Sequence, residues 1–492
     1  MNPSGYTIQS LIDLHADTIP GQKYVVYPET GSSCTWKEFQ QRVQSVACYL
    51  SGKGLSREVP IAGLLGNGQT ALELLLGGMY GGFQVLLANP LSGRDILAYV
   101  IEHSETKILF VAHQYQDLAE QALSQLSKKP EIILNNHDNL PVWNDTVPVK
   151  KLLNHIPNPK DNALLIYTSG TTGRPKGAVL SHGNLLSSVR GLEIAWRWTP
   201  DDILILALPL FHMHGLGVGL HGSLAVGAKV VLLPEFDVDE VVDSITKFDA
   251  TMFFGVPTMY SRLLESPEAT ELEQLRLCVS GSAPLPAELH QSIHRVTGQH
   301  VLERYGMTET AMLVSNPYEG ERRPGSVGFP LPGVEVRLEG DPAEIQVKGP
   351  NVFSGYWERP EENTEAFVDG WFRTGDLGAI DPEGYLSIVG RAKELIISGG
   401  FNVYPREVEE VISEYEPIQE CAVVGVPDEE WGEVVVAFVV AEREIEDEEI
   451  KIFVGERLAH YKRPRRTYTL ERLPRNALGK VQKHRLMGQI ET

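Results

Sequence analysis

Basic charge is scarce in this chain: 43 lysines and arginines stand against 65 aspartates and glutamates, a formal net charge of −22 over 492 residues. Long-range repulsion at that charge opposes encounter with nucleic acid or an anionic membrane through a general basic surface, so neither is an expected partner. Any anionic ligand must be held locally. Cysteine is also rare. Cys34, Cys48, Cys278 and Cys421 are scattered without CxxC or CxxH spacing, which argues against a disulfide framework and a zinc site and reads as reduced thiols in core or surface positions. No apolar run approaches the roughly 20 residues needed to span a bilayer. The first segment, MNPSGYTIQSLIDLHADTIP, lacks the basic and then apolar regions of a signal peptide, and GQIET carries no peroxisomal or retention address. Integral membrane association is therefore not expected, and the expected location is cytoplasmic.

The chain is too long for one compact core, and its apolar content of 42% suffices to bury several. From about residue 35 to 240, strand-like runs such as PIAGLLG, KILFVAH, ALLIYTS and DILILALPLF alternate with segments of helical period such as WKEFQQRVQSVACYLSGKG, the pattern of α/β architecture with largely parallel sheets. After residue 320 the texture turns to short strands and turns, a smaller β-rich lobe. Beyond Gly390, PREVEEVISEYE and EDEEIKIFVGERLAHYK read as helices, and ECAVVGVP and EVVVAFVVA as strands. The expected plan is an α/β chain with a large N-terminal domain over 1–390, made of α/β subdomains plus the β-rich lobe, followed by a small mobile α+β domain over 391–492. The segment GRAKELIISGGFNVYP between them is the expected hinge.

The strongest local signal is YTSGTTGRPKGAVLSH, Tyr167 to His182, which follows an apolar strand and precedes a helix expected to start near Asn184. Threonine and serine hydroxyls with unshielded glycine N–H groups can wrap phosphate oxygens, and Lys176 adds a point charge. A Walker A loop is disfavoured, because Lys176 is followed by Gly177 where that motif has Ser or Thr. The alternative for any Gly/Ser/Thr cluster is a surface turn.

In order and composition this segment resembles the adenylate-forming superfamily of acyl-CoA synthetases, peptide-synthetase adenylation domains and luciferases. The resemblance implies that Thr168, Ser169, Gly170, Thr171, Thr172 and Lys176 grip the β- and γ-phosphates of ATP. Further motifs follow in family order. ERYGMTET supplies Glu303, Arg304 and Tyr305 around the adenine, Thr308 for the α-phosphate and Glu309 for Mg²⁺; a carboxylate beside a triphosphate makes sense with a metal between them. VSGSAPLP places Gly281, Ser282 and Ala283 along the adenine, RTGDLG gives Asp376 and GRAKE gives Arg391 for the ribose hydroxyls, and Lys393 falls at the family's hinge. PRNALGKVQK carries Lys480, whose cation is implied to stabilise the charge that builds as pyrophosphate departs. A second orientation of the small domain is implied to turn Ser398, Gly399 and Gly400 inward, their small size letting a pantetheine arm pass. Catalysis is thus assigned to Lys480, Thr308 and His212. Presence of Lys480, Glu309 and Asp376 argues against a nucleotide-binding relative that has lost its chemistry.

Within the superfamily, WRWTPDDILILALPLFHMHGLGVGLHG and FFGVPTMYSRLLE are most similar to malonyl-CoA synthetases. That resemblance implies that Arg262 pairs with the distal carboxylate of a dicarboxylic acid through two parallel hydrogen bonds, with Ser282 and His212 beside it. Glu265 three residues after Arg262 allows a surface ion pair instead, and a short or medium-chain monocarboxylate is the competing substrate. The acceptor is expected to be CoA, with a stand-alone enzyme loading a carrier protein as the alternative. Lys462, Arg463, Arg465 and Arg466 offer cations for the 3′-phosphate of CoA, or form a solvated stripe. The expected ligands are therefore a small carboxylic acid, ATP, Mg²⁺ and CoA.

Overall fold

The computed structural model describes residues 5–135, 142–143, 146–149, 153, 155–168, 174–475, 479–488 and 490. By packing, the chain divides into two compact units, Met1–Glu335 with Lys348–Gly370, and Val336–Val347 with Trp371–Thr492. This division groups Val336–Val347 and residues 371–390 with the C-terminal residues, and so differs from the expected boundary at 390/391. The α/β class with a separate α+β C-terminal part is as expected.

The first unit holds two sheets. In one, Val85–Leu87, Ile61–Leu64 and Ile108–Val111 lie parallel and are buried on both faces, which is why these segments read as unbroken apolar runs. At the side of Val85–Leu87 the sheet continues through Asn162–Thr168, Lys176–Ser181 and Gly355–Tyr356. Asn162–Thr168 and Lys176–Ser181 are antiparallel, so the glycine-rich segment joins two strands. It does not lead directly into a helix: the helix begins at His182, with Ser181 as its N-cap and Asn184 answering from the third position, Ser181 N–H donating to Asn184 Oδ1 at 2.9 Å. The same reciprocal cap, Thr35 with Glu38, starts the helix Trp36–Gly52.

The second sheet has a parallel core in the spatial order Leu302–Tyr305, Leu277–Ser280, Met252–Gly255, Ile203–Leu206, Lys229–Leu232 and Lys23–Tyr27. Parallel strands end on one edge. The loops that leave Leu206, Gly255, Ser280 and Tyr305 therefore emerge together at the carboxyl ends, where ligands of open α/β sheets bind.

In the second unit, Glu335–Glu339, Glu344–Lys348, Trp371–Ile380 and Leu386–Arg391 are neighbours in one sheet. After the short turn Ala392–Glu394, a further sheet pairs Gly432–Ala441 with Ile418–Asp428, Ile396–Ser398 and Arg466–Thr469. Side-chain alternation buries Gly432–Ala441 on both faces. Val435, Ala437 and Val439 pack with Val408 and Ile450 of the helices Pro405–Ile412 and Asp447–Gly455, while Val436 and Phe438 pack with Leu473 and Leu486. Among the described residues no helix is long and apolar enough to cross a membrane.

Candidate active site

Gly281, Ser282 and Ala283 follow the strand Leu277–Ser280, and Arg304 and Tyr305 close the adjacent strand Leu302–Tyr305. The buried Glu303 carboxylate accepts the Leu285 N–H at 3.0 Å, fastening the loop after Ala283 to its neighbour strand. A Cβ on Gly281 would lie 2.4 Å from the guanidinium carbon of Arg304, so any other residue there would displace that side chain. Ser282 adopts φ 69°, a left-handed conformation unusual for serine, and its hydroxyl lies 3.2 Å from His214 Nδ1.

Arg304 is 5% exposed, and its Nε and Nη2 have no hydrogen-bond partner among the described residues. Burial lowers its guanidinium to about 9. His214 opens a turn of π-helix, His214–Leu220, a geometry often found at functional sites. Burial first, then the Arg304 charge and His212, hold its imidazole well below the ordinary value, and burial alone takes His212 to about 4. At neutral pH the group therefore presents one cation and two neutral imidazoles, whose Nε2 atoms have no protein partner among the described residues.

A second group forms around the glycine-rich segment. Ser169, Gly170, Thr171 and Thr172 lie outside the described residues. At the hairpin's base the Thr168 hydroxyl donates to the Lys176 carbonyl at 3.4 Å. Gly355–Tyr356 pairs with Lys176–Ser181, and this brings Lys176 Nζ to 5.0 Å from the centre of the Tyr356 ring. Tyr356 in turn donates its hydroxyl to Glu309 Oε1 at 2.9 Å. The loop lysine and the acidic residue of ERYGMTET are thus linked through one tyrosine. Thr308, half-buried, stands beside Glu309.

The second unit assembles Asp376, Arg391 and Lys480. Asp376 and Arg391 face each other across the pair Trp371–Ile380 and Leu386–Arg391, with Arg391 Nε 2.8 Å from Asp376 Oδ1. Burial and the Arg391 charge lower the Lys480 ammonium below the ordinary lysine value, against the opposing pull of Glu394 and Asp376. Lys393 is exposed. Ser398 is buried; Gly399 and Gly400 have φ 58° and 81°, and a Cβ on Gly400 would meet no atom within 4 Å.

Arg262 lies on the chain just after the carboxyl end of the strand Met252–Gly255. It lies exposed on the helix Pro257–Leu264 with its guanidinium 5.0 Å from the Phe236 ring centre, and it forms no ion pair with Glu265. The basic stripe is also divided. Lys462 pairs with Glu407 at 2.6 Å and Arg463 donates to the Gly455 carbonyl, whereas Arg465 is exposed and lies 4.4 Å over the Trp431 ring. Sequence reasoning missed Tyr356, and it missed the isolation of Arg304, because both depend on partners far along the chain.

A parallel sheet with polar loops at its carboxyl ends, followed in the chain by a separate α+β unit, is the plan of an adenylate-forming ligase. The chain belongs to the AMP-binding enzyme family: the model of that family matches residues 12–357 and the model of its C-terminal domain residues 407–480. It is an acid–thiol ligase of the AMP-forming, acyl-CoA synthetase type. A long-chain-fatty-acid–CoA ligase of Bacillus subtilis is 32% identical, covering 98% of this chain and 94% of that protein. A malonate–CoA ligase of Arabidopsis thaliana is 41% identical over 67% of this chain, and the match spans only 61% of that protein's length. ATP-bound MatB from Rhodopseudomonas palustris has a TM-score of 0.89 at 38% identity, with 99% of each chain covered.

Proposed function

We propose that this ligase joins malonate or a closely related small dicarboxylate to coenzyme A through an enzyme-bound acyl-AMP. The observation that carries the choice of acid is Arg304. A buried guanidinium with two nitrogens unpartnered among the described residues is costly to maintain unless an anion completes it. A second carboxylate would do so through paired hydrogen bonds, with the Ser282 hydroxyl and the neutral His214 beside it. A monocarboxylic acid would leave the same cation unsatisfied. We therefore assign the distal carboxylate to Arg304 instead of the exposed Arg262.

In the first half-reaction the near carboxylate attacks the α-phosphorus of ATP, an acyl–O–P bond forms, and pyrophosphate leaves. Lys176 and the glycine-rich segment hold the β- and γ-phosphates, Thr308 donates to the α-phosphate, and Asp376 with Arg391 engages the ribose. Glu309 and the substrate's own phosphates would hold Mg²⁺. When bound, the ion would neutralise phosphate charge; Tyr356 holds the Glu309 carboxylate by its hydroxyl and carries Lys176 over its ring. In the second half-reaction the CoA thiol attacks the acyl carbonyl and AMP leaves. Arg465, exposed over Trp431, is a candidate cation for a CoA phosphate.

The test is a substrate panel. Malonate, methylmalonate, acetate, octanoate, palmitate and an aryl acid are each supplied with Mg²⁺, ATP and CoA, and AMP and acyl-CoA are followed by mass spectrometry. Malonate or methylmalonate is expected to exceed every monocarboxylate in kcat/KM by at least about 10²-fold. Equal use of octanoate or acetate overturns the dicarboxylate assignment and leaves Arg304 to the nucleotide. Acyl-AMP that accumulates without acyl-CoA overturns CoA as acceptor and points to a carrier protein.

The lowered Lys480 value adds a pH expectation. As pH rises through it, the cation is lost, so acyl-AMP formation should decline at a pH below the ordinary lysine value of 10.5. Lys480→Arg should move that decline to higher pH in a single-turnover profile; an unchanged alkaline limb removes Lys480 as its source.

A further inference from the structure

We infer that Lys483 is a positioning residue, clamping the turn at the pivot to the segment that carries Lys480. The inference rests on the proposed roles of Lys480 in adenylation and of Lys393 as hinge. Lys483 Nζ lies 2.7 Å from Glu409 Oε1 and 3.5 Å from Glu394 Oε2. Glu394 ends the turn Ala392–Glu394, one residue past Lys393, and Lys483 begins the short helix Lys483–Met487, three residues past Lys480.

The surroundings make this ammonium a fixed joint. Its side chain is only 21% exposed. Burial pulls its pKa down, yet Glu409 and Glu394 together raise it above the ordinary lysine value. Glu409 is itself tied down, accepting the Val423 N–H of the long strand Ile418–Asp428 at 2.8 Å. Leu486, one turn on from Lys483, is fully buried against the sheet with Val436 and Phe438. The pivot turn, the helix Pro405–Ile412 and the segment after Lys480 therefore converge on one nitrogen. Gly479, with φ 73°, holds a left-handed conformation that favours glycine directly before Lys480, and a rotation at Lys393 reaches the Lys480 ammonium accurately only if something rigid spans the two. A misplacement of about 1 Å at a reacting centre costs on the order of a hundredfold in rate.

Single-turnover assays of both half-reactions on Lys483→Met and Lys483→Arg test this. In Lys483→Met the rate constant for acyl-AMP formation should fall by roughly 10- to 100-fold, while KM for ATP and acid, and acyl transfer from supplied acyl-AMP to CoA, change by no more than about twofold. Lys483→Arg should restore most of the lost rate, because the charge and both carboxylate partners remain. Glu394→Gln breaks the pivot contact alone and should move the same half-reaction in the same direction, which keeps the inference testable if Lys483→Met folds poorly. Equal loss in both half-reactions, or an unchanged adenylation rate, overturns the clamp. Lys480→Ala, run alongside, separates the levels: if it spares adenylation the underlying reading fails, whereas if it abolishes adenylation and Lys483→Met does not, only the clamp fails.

Discussion

Replacing Lys480 by alanine is expected to lower acyl-AMP formation by about a hundred- to a thousandfold, the usual effect of deleting one group aimed at developing charge, and to leave transfer from supplied acyl-AMP to CoA within about twofold. The asymmetry follows from where charge moves. In the first half-reaction the bridging oxygen of the α,β-phosphate bond takes up negative charge as pyrophosphate departs, and an ammonium brought there stabilises the transition state more than the bound substrates. In the second, the leaving group is AMP and no pyrophosphate forms, so the same cation has little to stabilise. Folding should survive the change. Lys480 is half-buried beside the like charge of Arg391, and its removal leaves the Asp376–Arg391 pair at 2.8 Å in place. Rapid-quench measurement of the two half-reactions reads the outcome directly. Equal loss of both in a variant that melts like the parent would refute the separation of catalytic duties between them.

Features set by local chemistry were legible in the sequence. The Thr35–Glu38 cap and the apolar period of Trp36–Gly52 announce that helix, and unbroken apolar strands announce the parallel sheets. Features set by distant contacts were not. The glycine-rich motif carries no sign that its Lys176–Ser181 part pairs as a strand between Asn162–Thr168 and Gly355–Tyr356. The helical pattern expected to run on past Gly455 stops there, in Asp447–Gly455, and the returning Arg463 guanidinium occupies the space that a Cβ on Gly455 would need. The site divides in the same way. Motif order gave Lys176, Arg304, Glu309, Asp376, Arg391 and Lys480 as candidates, whereas the tyrosine linking Glu309 to Lys176 comes from 47 residues away from that glutamate. Arg262 was chosen by its place in a motif, and its exposure is a property of the helix face that the motif does not encode.

The sharpest consequence concerns Arg304→Met. Truncating one partner of a buried charged contact costs about 2–5 kcal/mol, roughly 30-fold to several thousandfold. The kcat/KM for malonate should fall within that range, while KM for ATP stays within about twofold and use of a short monocarboxylate is unchanged or improved. Methionine nearly matches the volume of the lost side chain and removes a buried cation whose Nε and Nη2 lack hydrogen-bond partners among the described residues, so the unliganded variant should melt no lower than the parent. That thermal result separates a lost ligand contact from a damaged core. Lys at the same position keeps a charge but loses the planar fork, and should recover only part of the malonate activity. Arg262→Ala serves as the contrast: an exposed guanidinium over Phe236 predicts less than about a twofold change with any acid. A fall in malonate activity confined to Arg262→Ala would return the distal carboxylate to that residue. A loss of ATP affinity in Arg304→Met, with the preference among acids intact, would instead make Arg304 a nucleotide ligand and reopen the choice of acid.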